Sequence, residues 1–213
     1  IVYVPAQDGV AEGRFYDPTV DALDVKVLRH DDQGTWSLVF DPESQKHTWR
    51  EIPYQTPETD LTVHSTRLAL DTEGGATGHM EITAHGRVGS IFRRGARNPE
   101  QMGQLLEQQV SRTFVGGRVT KTELIQVVDV HTPAKVALDI EAPTLGRREG
   151  KELRLKLPIG WSPSHFFVQG ARRHPVLLGT PRALQWSLDL ELPPGAKARR
   201  LPSSQHVDSP CLS

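Results

Sequence analysis

The residue in this chain whose type and setting best suit it to chemistry is Asp17, in Phe15-Tyr16-Asp17-Pro18-Thr19. At the end of a short strand and followed by Pro, its carboxylate sits where the backbone turns and can point at a neighbouring side chain. In acyl-transfer sites such a carboxylate holds an imidazole in one tautomer while the imidazole serves a nucleophile. A plain turn residue has the same local sequence, so Asp17 alone does not define a site. Cys211 is the only thiol. It follows Ser209-Pro210 close to Ser213, with no helix start or orienting histidine beside it, and is expected to be unreactive. His79, Glu81 and His85 project from one side of a strand, but same-face neighbours stand about 7 Å apart, too far for a shared zinc. A solvated polar face is expected there. His30-Asp31-Asp32 has neither the glycine nor the spacing of a calcium loop and reads as a turn. No metal and no cofactor are expected.

The elements that must position Asp17 are two short runs, Ile1-Val2-Tyr3-Val4 and Phe15-Tyr16, separated by Asp8-Gly9 and Glu12-Gly13 and so read as neighbouring antiparallel strands. Trp36 to Phe40 reads as a buried strand closed by Asp41-Pro42-Glu43-Ser44, and Thr48 to Ile52 as an edge strand. A boundary is placed at Pro53 to Pro57, dividing the chain into 1–56 and 57–213. Beyond it, Leu61 to Leu70 is strand-like, and Met80, Ile82 and Ala84 alternate with His79, Glu81 and Thr83. Asn98-Pro99 with Gln101 has the form of an N-cap, a first-turn proline and a capping-box partner. Met102, Leu105, Leu106, Val110 and Phe114 then recur at helical spacing until Gly116-Gly117, so one amphipathic helix is expected over 99–114, its stripe on a sheet. Strands are expected again at Leu124 to Val130, around Val136-Leu138-Ile140, around Leu153-Leu155-Leu157, and from Leu184 to Leu192, the longest strict alternation in the chain. Trp36 and Trp186 are expected in the core, and the arginine pairs, Arg93-Arg94 among them, on the surface.

These elements predict a mainly β, α+β fold: an antiparallel β-sandwich-like domain with one packed helix. At 213 residues the chain can bury a substantial core. A net charge of -1 supplies no field to attract nucleic acid, and no apolar run approaches the roughly 20 residues needed to span a membrane. A single cysteine precludes an internal disulfide. No nucleic-acid partner and no membrane span are expected.

Ile1-Val2-Tyr3-Val4-Pro5, Phe15-Tyr16-Asp17-Pro18-Thr19 and Asp32-Gln33-Gly34-Thr35 together resemble the end of the transglutaminase-like core of large bacterial proteins that carry domains of unknown function on either side of it. Arg172-Arg173-His174-Pro175-Val176-Leu177-Leu178 and Leu192-Pro193-Pro194-Gly195 resemble the C-terminal domain of the same proteins, more loosely. The resemblance implies that 1–56 are the last strands of a papain-like core and 57–213 an accessory domain. It also implies that Asp17 is the His-orienting member of a Cys-His-Asp triad, with the His directly preceding the position of Ile1. A periplasmic or secreted protein acting on peptide or protein amides is implied, with the accessory domain docking on the core, and the chain by itself inactive. The alternative is a non-catalytic envelope module that binds along a sheet face or edge.

Overall fold

A computed structural model describes residues 1–9, 11–157 and 179–207. Its centre is a five-stranded sheet of β5 (Leu61–Leu70), β6 (Ala76–Ala84), β7 (Arg118–Gln126), β8 (Ala134–Ala142) and β11 (Ala183–Glu191), in the order β11-β5-β6-β8-β7. Ahead of it come two two-stranded ribbons, β1 (Val2–Val4) with β2 (Arg14–Tyr16) and β3 (Trp36–Asp41) with β4 (Lys46–Glu51); β9 (Gly146–Glu149) and β10 (Glu152–Leu155) form a third.

The mainly β, α+β expectation holds, with two differences in architecture. Among the described residues the layer on the five-stranded sheet is helical, α1 (Gly86–Gly95) and α2 (Pro99–Thr113), rather than a second sheet. The sheet is also mixed: β11 runs parallel to β5, with Ala183 opposite Leu61 and Glu191 opposite Ala69, while the other pairings are antiparallel. Alternation reveals which face of a strand is dry but not the direction of its neighbour, so the parallel pairing had no local signal.

Helix α2 follows its sequence signature. Asn98 Oδ1 accepts from the Gln101 backbone N–H at 3.2 Å, Pro99 opens the first turn, and Met102, Leu106, Val110 and Phe114 are buried. Leu105 falls off the stripe and is half exposed. The helix is tied to the next strand by Glu107 Oε2, which accepts from Val119 N–H at 2.7 Å. Beneath the helices lie Met80, Ile82 and Ala84 of β6 and Val136, Leu138 and Ile140 of β8, the centre of the core.

Helix α1 was not expected, because Gly86, Gly89 and Gly95 lower its propensity and its apolar face is only Val88, Ile91 and Phe92. Its start is supplied from outside. Asp60, closing a 3-10 turn at Pro57–Asp60, accepts from the Arg87 backbone N–H at 2.9 Å, in place of a side-chain cap from His85. Gly86 has φ +51°, and a Cβ there would lie 2.5 Å from the Thr59 carbonyl, so the turn into α1 needs glycine.

The β3–β4 ribbon corrects a second expectation. Trp36, Leu38, Phe40 and Trp49 share one face of it, and all are more than half exposed, so Trp36 is not a core residue. A two-stranded ribbon buries a face only if another layer covers it. The strand expected over Leu124 to Val130 begins and ends earlier, at Arg118–Gln126.

Candidate functional site

Asp17 is buried, 6 % exposed, one residue past the Val2–Tyr16 pair and therefore at the end of the β1–β2 ribbon where Ile1 lies. Its Oδ1 accepts from the backbone N–H of Thr19 at 2.9 Å and from the Thr19 hydroxyl at 2.6 Å, an Asx turn that fixes the carboxylate. Arg29 Nε stands 3.7 Å from Oδ2. Burial opposes the charge on Asp17, but the Thr19 hydrogen bonds, an interaction with Asp32 and the charge of Arg29 outweigh it and hold the carboxyl below its ordinary pKa.

Asp32 is its unforeseen partner. Its Oδ2 is buried without a hydrogen-bond partner. Burial, then the nearby carboxyl and charge of Asp17, then the charge of Asp31 raise the Asp32 pKa, and Arg29 offsets this only in part. The pair divides its labour as close carboxyls do: Asp17 keeps the charge and Asp32 keeps the proton to higher pH. Asp32→Asn removes the like charge beside Asp17, so it is expected to stabilise the protein at pH 8, where both carboxyls of the native pair are ionised, with little effect at pH 3; urea midpoints at the two pH values check this.

The loop that carries Asp32 is held by two glutamines. Gln33 donates to the Leu28 carbonyl at 3.0 Å and accepts from the Gln55 N–H at 2.9 Å, while Gln55 accepts from the Leu28 N–H at 2.8 Å and donates to the Lys26 carbonyl at 2.7 Å. Beside the ribbon opens a cleft of about 840 Å³, walled by Tyr3, Tyr16, Trp36, Trp49 and Tyr54 with Arg50 lying 4.7 Å above the Tyr3 ring.

The segment from Asp17 to Asp24 docks on the sheet domain through Arg93, a residue expected on the surface and found buried. Its guanidinium donates to the carbonyls of Ala22, Asp129 and Thr132. Each of its three nitrogens, the groups that make Arg costly to bury, donates to a backbone oxygen, a role its sequence setting does not reveal. Arg97 with Asp21 and His131 with Asp24, the latter at 3.0 Å, line the same junction.

His79 and Glu81 lie on the open face of β6, as expected, but each has its own cross-strand partner: His79 meets Asp139 at 2.9 Å and Glu81 meets Lys135 at 3.0 Å. His85 stands before α1, away from that row. Among the described residues no group of three or more His, Cys, Asp or Glu gathers as a metal site, and no helix is long and apolar enough to cross a membrane. Cys211 and Trp161, like the run from Arg172 to Leu178, lie outside the described residues.

On the helix side of the sheet, His64 of β5 stacks flat on Trp186 of β11, ring centres 3.9 Å apart and planes 3° from parallel. His64 Nδ1 and Trp186 Nε1 are both buried without a hydrogen-bond partner. Burial lowers the His64 pKa to about 4. The small space the pair lines, with Met80, Ile82, Leu106, Gln109, Val110, Thr113 and Leu138, offers no charged group to compensate a protonated ring. A histidine whose pKa is depressed on folding withdraws stability as pH falls from its unfolded value near 6.5 toward 4. The loss over that window is expected to be about 3 kcal/mol. His64→Phe keeps the stack and should flatten the fall in urea midpoint between pH 6.5 and 4.5.

Compared with protein-family models, curated proteins and solved structures, the chain matches none.

Proposed function

We propose that this chain is the C-terminal part of a transglutaminase-like cysteine acyltransferase or hydrolase acting on peptide or protein amides, with Asp17 the carboxylate that orients the catalytic imidazole. The observation that carries the reading is the Asp17 carboxylate: buried, kept ionised, and fixed at the ribbon end beside Ile1. A free turn aspartate would be solvated. In such a site a thiolate attacks the amide carbonyl, and the imidazolium protonates the leaving amine. An acyl-thioester then passes to water or to an incoming amine. A carboxylate on the other ring nitrogen keeps the imidazole in the tautomer that can accept and return that proton. Thr19 and Arg29 would hold Asp17 in place and charged. The thiol and imidazole belong, on this reading, to sequence ahead of Ile1, with the histidine within about two residues of it, and a periplasmic or secreted setting follows from the resemblance.

The test joins residues 1–213 to the coding sequence upstream of Ile1 and measures thiol-dependent release of ammonia, or incorporation of a primary amine, on a glutamine-containing peptide. Turnover that disappears in Asp17→Ala while the fold persists supports the assignment. An upstream sequence without cysteine and histidine, or turnover indifferent to Asp17, overturns it.

The aromatic cleft favours a second reading, a non-catalytic binding or assembly module. Exposed Trp36, Trp49 and Tyr54 beside Arg50 form a surface suited to stacking and to cation–π contact. If Trp49→Ala abolished binding to a polypeptide or glycan in a protein with no amide turnover, this second reading would prevail.

A further inference from the structure

The two edges of the five-stranded sheet differ. Edge strand β7 is blunted: its register against β8 shifts twice, between Val119 and Lys121 and again between Leu124 and Gln126, and it carries Arg118 and Lys121. Bulges and basic residues are how sheets discourage further pairing. Strand β11, the opposite edge among the described residues, has none of these devices. It keeps register with β5 over nine consecutive pairs and contains no Lys, Arg, Pro or Gly between Ala183 and Glu191.

The sequence of that strand is complementary to itself. Antiparallel pairing of two β11 strands centred on Ser187 sets Trp186 against Leu188 and Leu184 against Leu190 on the helix side of the sheet. On the other side it sets Gln185 against Asp189. Glu191 falls opposite Ala183 at the ends. No two like charges meet, and the four large apolar residues, Leu184, Trp186, Leu188 and Leu190, each find an apolar partner on the same face. Ser187 is the midpoint of the nine-residue strand, so this register alone pairs all nine residues; sliding the centre to Asp189 would oppose two carboxylates, and pairing even-numbered with odd-numbered residues would set the apolar face of one strand against the polar face of the other. Asp189 is also matched within its own chain, 3.6 Å from Arg67 on β5.

We propose that β11 is a self-pairing edge, at which two copies of this chain join antiparallel about a two-fold axis through Ser187 and extend the sheet to ten strands. Such an interface is isologous, each copy offering the same strand. The inference is independent of the role given to Asp17. One strand pair buries less than the roughly 1,200 Å² of a standard stable interface, so the dimer is reversible and its population follows concentration.

Sedimentation equilibrium of the 213-residue chain, mass 23.7 kDa, reads this directly. The average mass should climb toward twice the monomer value between about 1 µM and about 1 mM. Ser187→Lys places two ammonium groups face to face at the axis and should keep the protein monomeric across that range while it remains folded by circular dichroism. In a Cys211→Ser background, Ser187→Cys should form a disulfide-linked dimer under mild oxidation, and Gln185→Cys should not, because residue 185 faces 189 rather than itself. A chain monomeric throughout, a dimer that survives Ser187→Lys, or equal cross-linking at 185 and 187 overturns the proposal. So does a chain that stays monomeric alone yet pairs with a strand-forming peptide of unrelated sequence.

Discussion

Leu106→Asp is expected to leave the protein without a cooperative unfolding transition in neutral buffer. Leu106 is 4 % exposed, in the middle of the α2 stripe between Met102 and Val110. Around the space beneath it stand Met80, Ile82, Val110 and Leu138, with the neutral His64 as the titratable group on the far wall. A carboxylate placed there meets no cation. Loss of the leucine contacts costs about 2–5 kcal/mol, and an uncompensated buried charge about 3–5 kcal/mol more. That sum is comparable to the whole stability of a typical domain, about 5–15 kcal/mol. Leu106→Met, which keeps volume and polarity, should cost less than about 1.5 kcal/mol. Far-ultraviolet circular dichroism with urea titration separates these cases. If Leu106→Asp retained the wild-type midpoint, α2 would not be anchored as described.

Asp17→Ala, in the protein that includes the sequence upstream of Ile1, is expected to lower kcat for amide turnover by about 10³–10⁴-fold, the scale on which removing the orienting carboxylate of a triad acts. The alanine would leave the imidazole free to adopt the tautomer that cannot take the thiol proton. Asp17→Asn sharpens the point. It preserves shape and the Thr19 turn but donates where the imidazole N–H must donate, so it should be as inactive as alanine and closer to wild type in stability. A KM that rises with kcat unchanged would instead point to a role in binding. Loss of the Thr19 and Arg29 contacts also costs stability, so rates are compared only at temperatures where both variants are folded, as judged by circular dichroism.

The parts of this structure that were legible in the sequence are those written in local spacing. Asn98, Pro99 and Gln101 announce α2, and the alternations through Met80, Leu138 and Leu188 announce three strands and their dry faces. What was not legible depends on residues far apart in the chain. Asp17 and Asp32 come from different loops, and nothing in either loop indicates that one carboxyl will keep its charge while the other keeps its proton to higher pH. Arg93 carries the same letters as a surface arginine, and only three carbonyls converging from Ala22, Asp129 and Thr132 make its burial tolerable. Trp36 failed in the other direction, since an apolar strand reads as core until one asks what layer covers it. The approach of His64 to Trp186 required knowing that β11 returns to pair with β5.

That return has a kinetic consequence. Ser187 and His64 meet across 123 residues of chain, whereas β5 and β6 are joined by one tight turn. Contacts that close so long a loop form slowly and late. As the polypeptide leaves the ribosome, β5 must therefore wait with an open flank until nearly all of the sheet's other strands have been made. During that interval the nascent chain is most exposed to wrong partners. Changes that delay β11 should show up as poor soluble yield before they show up as a loss of melting temperature.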